Sequence, residues 1–227
     1  MLRTESSSPQ MVALSQPVSK AVYDYWNALR NGRPLPLRRD IDPARMRSFL
    51  PHIMLLERVS SEETIFRLAG TSICHAFGRE LRDHSLLSLW DATHRGLIGT
   101  ALSGSLRKAS PLLLRFRGHT LGRRPLAGEW MLLPLLDDKG TPTRVLGSFA
   151  FSRDPLGPKA FTRLELLRAE TVIPHHDRVE LALAAPTLPR PELTLVPKLA
   201  PTAPPRVSSM TRPWAGLFRE FLRCEEG

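Results

Sequence analysis

The sequence predicts an α+β domain built on a five-stranded antiparallel sheet with helices on one side. Three observations predict it. Two short alternating apolar segments follow an N-terminal helical stretch, a longer helical stretch comes next, and three further strand-like segments follow in succession.

Residues 1–16 are polar around Ser6, Ser7, Ser8 and Pro9, and disorder is expected there. From Pro17, the residues Val18, Val22, Tyr25, Trp26 and Leu29 fall at helical spacing, until Gly32 and Pro34 stop the run. Asp42-Pro43 reads as an N-cap with proline at the first helical position, opening a short helix to about Leu50. Residues 52–59 and 63–68 are the first two strands, joined by a turn at Ser60-Ser61. A short helix follows with Ile73, Ala76 and Phe77, closed by Gly78.

Asp91 caps a longer helix reaching about Leu106, with Leu97, Ile98, Ala101, Leu102 and Leu106 assigned to its apolar face. Segments 111–119, 129–137 and 144–151 are the last three strands, and Asp138-Lys139-Gly140 supplies the turn between the final pair. Beyond Pro155 the segment from Phe161 to about Val172 reads as a helix, part of a helical extension over 156–185. Seven prolines between Pro186 and Pro205 make 186–210 an extended linker. In 211–227, Trp214, Leu217, Phe218, Phe221 and Leu222 share one face of an amphipathic helix that needs a surface to dock on.

Composition narrows the partners. With 32 basic against 22 acidic residues the formal net charge is +10, which favours acidic partners. Arginine outnumbers lysine 27 to 5, so GC-rich coding is an alternative source of part of that charge. No acidic residue lies between Asp91 and Glu129, and in that span Arg115 and Arg117 fall on the strand face opposite Leu114 and Phe116. They form a candidate basic docking stripe, with a merely solvated face as the alternative. Trp214, Phe218, Phe221 and Leu222 are the second set of partner-binding candidates. An acidic protein is the first partner expected; a second copy of the chain and a small ligand follow, and nucleic acid stands behind them.

Chemistry-bearing motifs are scarce. Cys74 and Cys224 lack CxxC spacing, which suits a reducing cytoplasm, and no apolar run is long enough to span a membrane. The adjacent His175-His176 point about 100° apart if helical, and His75, His84 and His94 have no ligand spacing, so no metal is expected. GxSxG, the P-loop and GxGxxG are all missing, and no cofactor or catalytic residue is assigned.

Four stretches carry a family resemblance: YWNALRNGRPLPLRRDIDP, LPHIMLLERV, FRLAGTSICHAFGREL and GEWMLLPLLDDKGTPTRVLGSFAF. Over roughly residues 17–155 the chain resembles PAS-like proteins widespread in alphaproteobacteria. The resemblance implies a PAS fold and a non-enzymatic signalling or adaptor role through protein interaction, with small-ligand sensing as a further expectation. The alternative is a basic nucleic-acid-binding regulatory protein. PAS-like folds often enclose a small cavity, and Phe66, Phe77, Trp90, Leu97 and Trp130 are the candidates to line it; a filled core made of the same residues stays open.

Overall fold

A computed structural model of the chain describes residues 14–152 and 160–172. Packing divides the chain into two units, Met1–His176 and Asp177–Gly227, and all described residues belong to the first. The expected linker over 186–210 and the amphipathic helix over 211–227 lie outside the described residues, as does most of the N-terminal 1–16 segment.

Helix α1 spans Pro17–Arg30, with proline in its first turn and a left-handed Asn31 (φ 44°) ending it ahead of Gly32. The Asp42 carboxylate caps Ala44 N–H at 2.9 Å as the sequence predicts. It opens a 3-10 turn, Pro43–Met46, and not a helix reaching Leu50. Strands β1 (Ile53–Arg58) and β2 (Thr64–Ala69) form the expected hairpin, and α2 (Thr71–Phe77) ends at Gly78 with φ 64°. Asp91 caps α3 (Ala92–Lys108) through Thr93 N–H at 3.1 Å. Then come β3 (Leu112–Thr120), β4 (Leu126–Leu135), β5 (Arg144–Phe151) and β6 (Phe161–Thr171).

The sheet therefore has six strands, in the order β2-β1-β5-β4-β3-β6, with every neighbouring pair antiparallel. This corrects two expectations, the five-stranded sheet and the helix beginning at Phe161. Leu, Glu, Arg and Ala give residues 161–171 the composition of a helix, and two irregularities complete the disguise. In the register with β3, Thr120 pairs Phe161 while His119 pairs Arg163, so Thr162 is an extra residue. Phe161 and Leu164 consequently both face the core although they are three positions apart, which imitates a helical repeat. A second slip leaves Leu167 between Leu166 and Arg168, and that leucine is exposed. Pairing along β3 overrides local preference here.

The two faces of the sheet have different covers. On the inner face Met54, Leu56, Phe66, Leu114, Phe116, Trp130, Leu132, Val145 and Phe149 pack with α2, α3 and the turns before Trp90 in one buried cluster. Successive side chains of a strand point to opposite faces. Glu129 and Ser148, each next to an inward aromatic ring, accordingly meet α1 on the outer face, where Ser148 donates to Ser19 Oγ at 3.4 Å. Trp26 and Val22 of α1 are fully buried, and the Trp26 indole donates to Pro134 O at 2.8 Å. No described helix is long and apolar enough to cross a membrane.

Candidate ligand site and docking surfaces

Four of the five candidate pocket residues come together on the inner face. Trp90, just ahead of the α3 cap, stacks on Trp130 of β4 with ring centroids 5.5 Å apart and planes 23° apart. Phe66 of β2 lies 6.2 Å from Trp130. Phe77 of α2 reaches the same cluster through Phe149 at 5.5 Å. Leu97 does not join them: it is 63% exposed, because the buried face of α3 is Ile98, Leu102, Ser105 and Leu106. With about 100° between successive helical residues, Leu97 and Ile98 cannot both take the centre of one face.

Four aromatic residues that sequence reasoning left out of the candidate set join the cluster: Phe116, Phe149, Phe151 and Phe161. Phe116 stacks on Phe149 at 5.0 Å with parallel planes, and Phe161 meets Phe149 edge-on at 6.2 Å. The Phe161 ring lies over Gly118, where an added Cβ would come within 2.4 Å of Cε1. The alternation of β3 does point Phe116 inward, but the β6 bulge hides Phe161.

The polar atoms of this cluster are few. The Trp130 indole N–H donates to the Met54 thioether at 2.8 Å, a weak acceptor. Trp90, 1% exposed, keeps its indole Nε1 buried without any hydrogen-bond partner. Cys74 packs partly buried beside the cluster. Its thiol is pushed up to about 11, first by burial and then by the neighbouring Glu80 carboxylate, to which Sγ donates at 3.4 Å. At neutral pH it is a protonated thiol and a poor nucleophile. Among the described residues no group of three or more His, Cys, Asp or Glu side chains gathers to hold a metal.

Acidic residues lie against the candidate basic stripe. Arg115, 30% exposed, donates through Nε to Glu170 at 3.1 Å and lies 3.4 Å from Glu129 through Nη1. Arg117, 48% exposed, pairs with Glu165 at 3.4 Å, and His119 Nε2 lies 2.9 Å from the same carboxylate. The His119 hydrogen bond, with help from Arg117, holds Glu165 below the usual carboxylate range. The span from Asp91 to Glu129 lacks acids in sequence, yet the adjacent strand β6, which follows β5 in the chain, supplies Glu165 and Glu170. The second partner-binding set, Trp214, Phe218, Phe221 and Leu222, lies outside the described residues.

Glu129 is the outer-face residue that sequence reasoning missed. Only 1% exposed, its carboxylate accepts from Gln16 N–H at 2.8 Å, Ser15 N–H at 3.2 Å and the Ser15 hydroxyl at 2.7 Å. Gln16, the N-cap residue of α1, makes no side-chain cap bond of its own. A carboxylate from the sheet therefore caps the helix in its place. One lone acid in a strand carries no sequence signal for that role.

An antiparallel sheet with short helices enclosing an aromatic inner core, and a separate helix on its back, is the PAS-like α+β architecture that the sequence predicts. A PAS-domain family model matches residues 14–150, more than half of the chain, and the chain belongs to the PAS domain family. One similar solved structure is described as "Structure of an RNA-binding Light-Oxygen-Voltage Receptor", with 14% identity and a TM-score of 0.38 over 48% of this chain. The match spans 32% of that chain, about a third of its length. No curated protein matches the sequence.

Proposed function

We propose that this chain is a non-enzymatic cytoplasmic signalling adaptor whose PAS domain senses a small ligand in its aromatic core and passes its state to a protein partner. The observation that carries the reading is the chemistry of the inner face. Its rings and aliphatic chains surround no pair of titratable groups among the described residues, and the thiol beside it is held protonated. Apolar rings of this kind suit a small apolar ligand better than they suit acid–base chemistry.

An acidic protein is the partner the charge supports. Arg115 and Arg117 are weaker docking groups than their sequence position suggests, because glutamates already occupy them. Arg39 and Arg47 are exposed and make no ion pair among the described residues. Trp214, Phe218, Phe221 and Leu222 remain the apolar contact. The same neutralisation of Arg115 and Arg117 weakens the nucleic-acid alternative, which needs a continuous cationic track.

The test uses the full chain as bait in extracts of its native cell, beside a Phe218→Asp, Leu222→Asp variant. The reading expects a protein held by the native chain and lost from the variant, with core melting unchanged. Recovery of nucleic acid whose binding falls steeply between two salt concentrations would instead establish the alternative.

A further inference from the structure

Strand β6 is an edge of the sheet: the strand order ends with it, beside β3, among the described residues. An edge strand carries peptide groups that no second strand pairs. Near its start this edge is closed, because Leu164 O accepts from Asp91 N–H at 2.8 Å. Further along it is open. Leu167 is 47% exposed, Arg168, Ala169 and Thr171 are exposed too, and no described residue hydrogen-bonds the open side of 167–171. The direction of those peptide groups follows from the end of the strand. Val172 N–H donates to Pro111 O at 2.9 Å, toward the β3 side. Peptide groups alternate between the two sides of a strand, and the register with β3 is regular from Ala169 to Thr171. Glu170 therefore faces β3, while Ala169 and Thr171 turn their N–H and C=O groups outward.

The charges along this edge fit a second copy of the same strand. Arg168 and Glu170 share the outer face, opposite Arg115 and Leu113 of β3, and Arg168 Nε lies 3.0 Å from Glu170 Oε1. Two identical strands that pair antiparallel are related by a two-fold axis, and residues directly opposite lie on the same face. With the axis at Ala169, Arg168 of each copy stands opposite Glu170 of the other, so both cross-strand pairs are unlike. Moving the axis to Arg168 sets the two arginines against each other, and moving it to Glu170 does the same to the glutamates. Like charges directly opposite are destabilising. Charges on an edge commonly repel a second sheet, but here their order makes the strand complementary to itself reversed. In that register the outward peptide groups of Ala169 meet their own copy. Leu167 lies opposite Thr171, which takes an exposed leucine out of water.

We infer that two copies of this chain join through β6, antiparallel and centred on Ala169, so that one sheet runs through both. Strand β6 follows the PAS-domain match over residues 14–150, so this surface lies on a segment beyond the matched domain. The paired stretch, 167–171, is short, and the dimer is a weak one.

The test is analytical sedimentation of the full chain from about 1 μM to 1 mM, beside three variants. The native chain is expected to pass from monomer to dimer within that range. In Ala169→Pro, the proline removes an N–H that points away from β3, so pairing inside the chain survives and pairing between copies is lost. Dimerisation should weaken about tenfold or more, with melting nearly unchanged. Arg168→Glu and Glu170→Arg should each stay monomeric, because like charges then meet in both cross-strand pairs. An equimolar mixture of these two should dimerise, since every glutamate then faces an arginine of the other chain. A native chain that is monomeric throughout overturns the inference, as does a dimer that Ala169→Pro leaves intact. A mixture no better associated than its components, both folded by circular dichroism, overturns the register centred on Ala169. If either charge variant fails to fold, Ala169→Pro decides alone.

Discussion

On the inner face of the sheet Phe66, Phe116, Trp130 and Phe149 pack ring against ring, whereas on the outer face of the same strands Arg115, Arg117 and Glu129 are held by charge. The inner contacts are non-directional and scale with the apolar area they bury. The outer ones depend on particular atoms, supplied by β6 and by the start of α1, far away in sequence. A strand pattern suffices to place a ring in the core. Knowing whether an arginine is free requires knowing which strand lies beside it.

The largest effect should come from emptying the inner face. Trp130→Ala removes a fully buried indole that touches Phe66, Trp90 and Phe149, and should cost about 3–5 kcal/mol in urea unfolding. A cost below about 1 kcal/mol would mean that the cluster is loosely filled or collapses readily.

An intermediate effect is expected on the outer face. Arg115→Glu sets a third carboxylate beside Glu129 and Glu170 and should cost about 2 kcal/mol at neutral pH, allowing for the partial exposure of the arginine. Arg117→Glu, at a more exposed site, should cost less than about 1 kcal/mol. Equal costs at 115 and 117 would erase the distinction between buried and rim charges. The smallest change should be Leu97→Gln, within about 0.5 kcal/mol, since the side chain projects from α3 into solvent.

Much of the fold is legible where one local rule decides the outcome. Asp91 caps α3, Gly78 ends α2, and the alternation around Phe116 and Trp130 orients β3 and β4. The sequence becomes misleading where two rules meet. In β6 the bulge at Thr162 gives Phe161 and Leu164 a helical spacing, so periodicity and composition agree on the wrong element. Losing that strand hides three things together: the Phe161 ring, the glutamates opposite Arg115 and Arg117, and the sixth position in the sheet. Leu97 fails for a simpler reason, since adjacent apolar residues on a helix compete for one face and Ile98 takes it. The orphaned Trp90 N–H leaves no trace in sequence, because it is defined by an acceptor the interior does not provide.

The Glu129 cap on α1 also constrains the order in which the molecule can be assembled. The bond from Gln16 N–H joins residues 113 positions apart, so helix and cap leave the ribosome at quite different moments. At about 5–20 residues per second, some 6–23 s of synthesis separate them. Throughout that interval α1 has neither its cap nor the sheet that buries Trp26 and Val22, and a helix of 14 residues is marginal in water by itself. This helix, made well before the sheet that secures it, is therefore late to become secure, and a nascent chain exposes its apolar face to whatever binds it in the meantime.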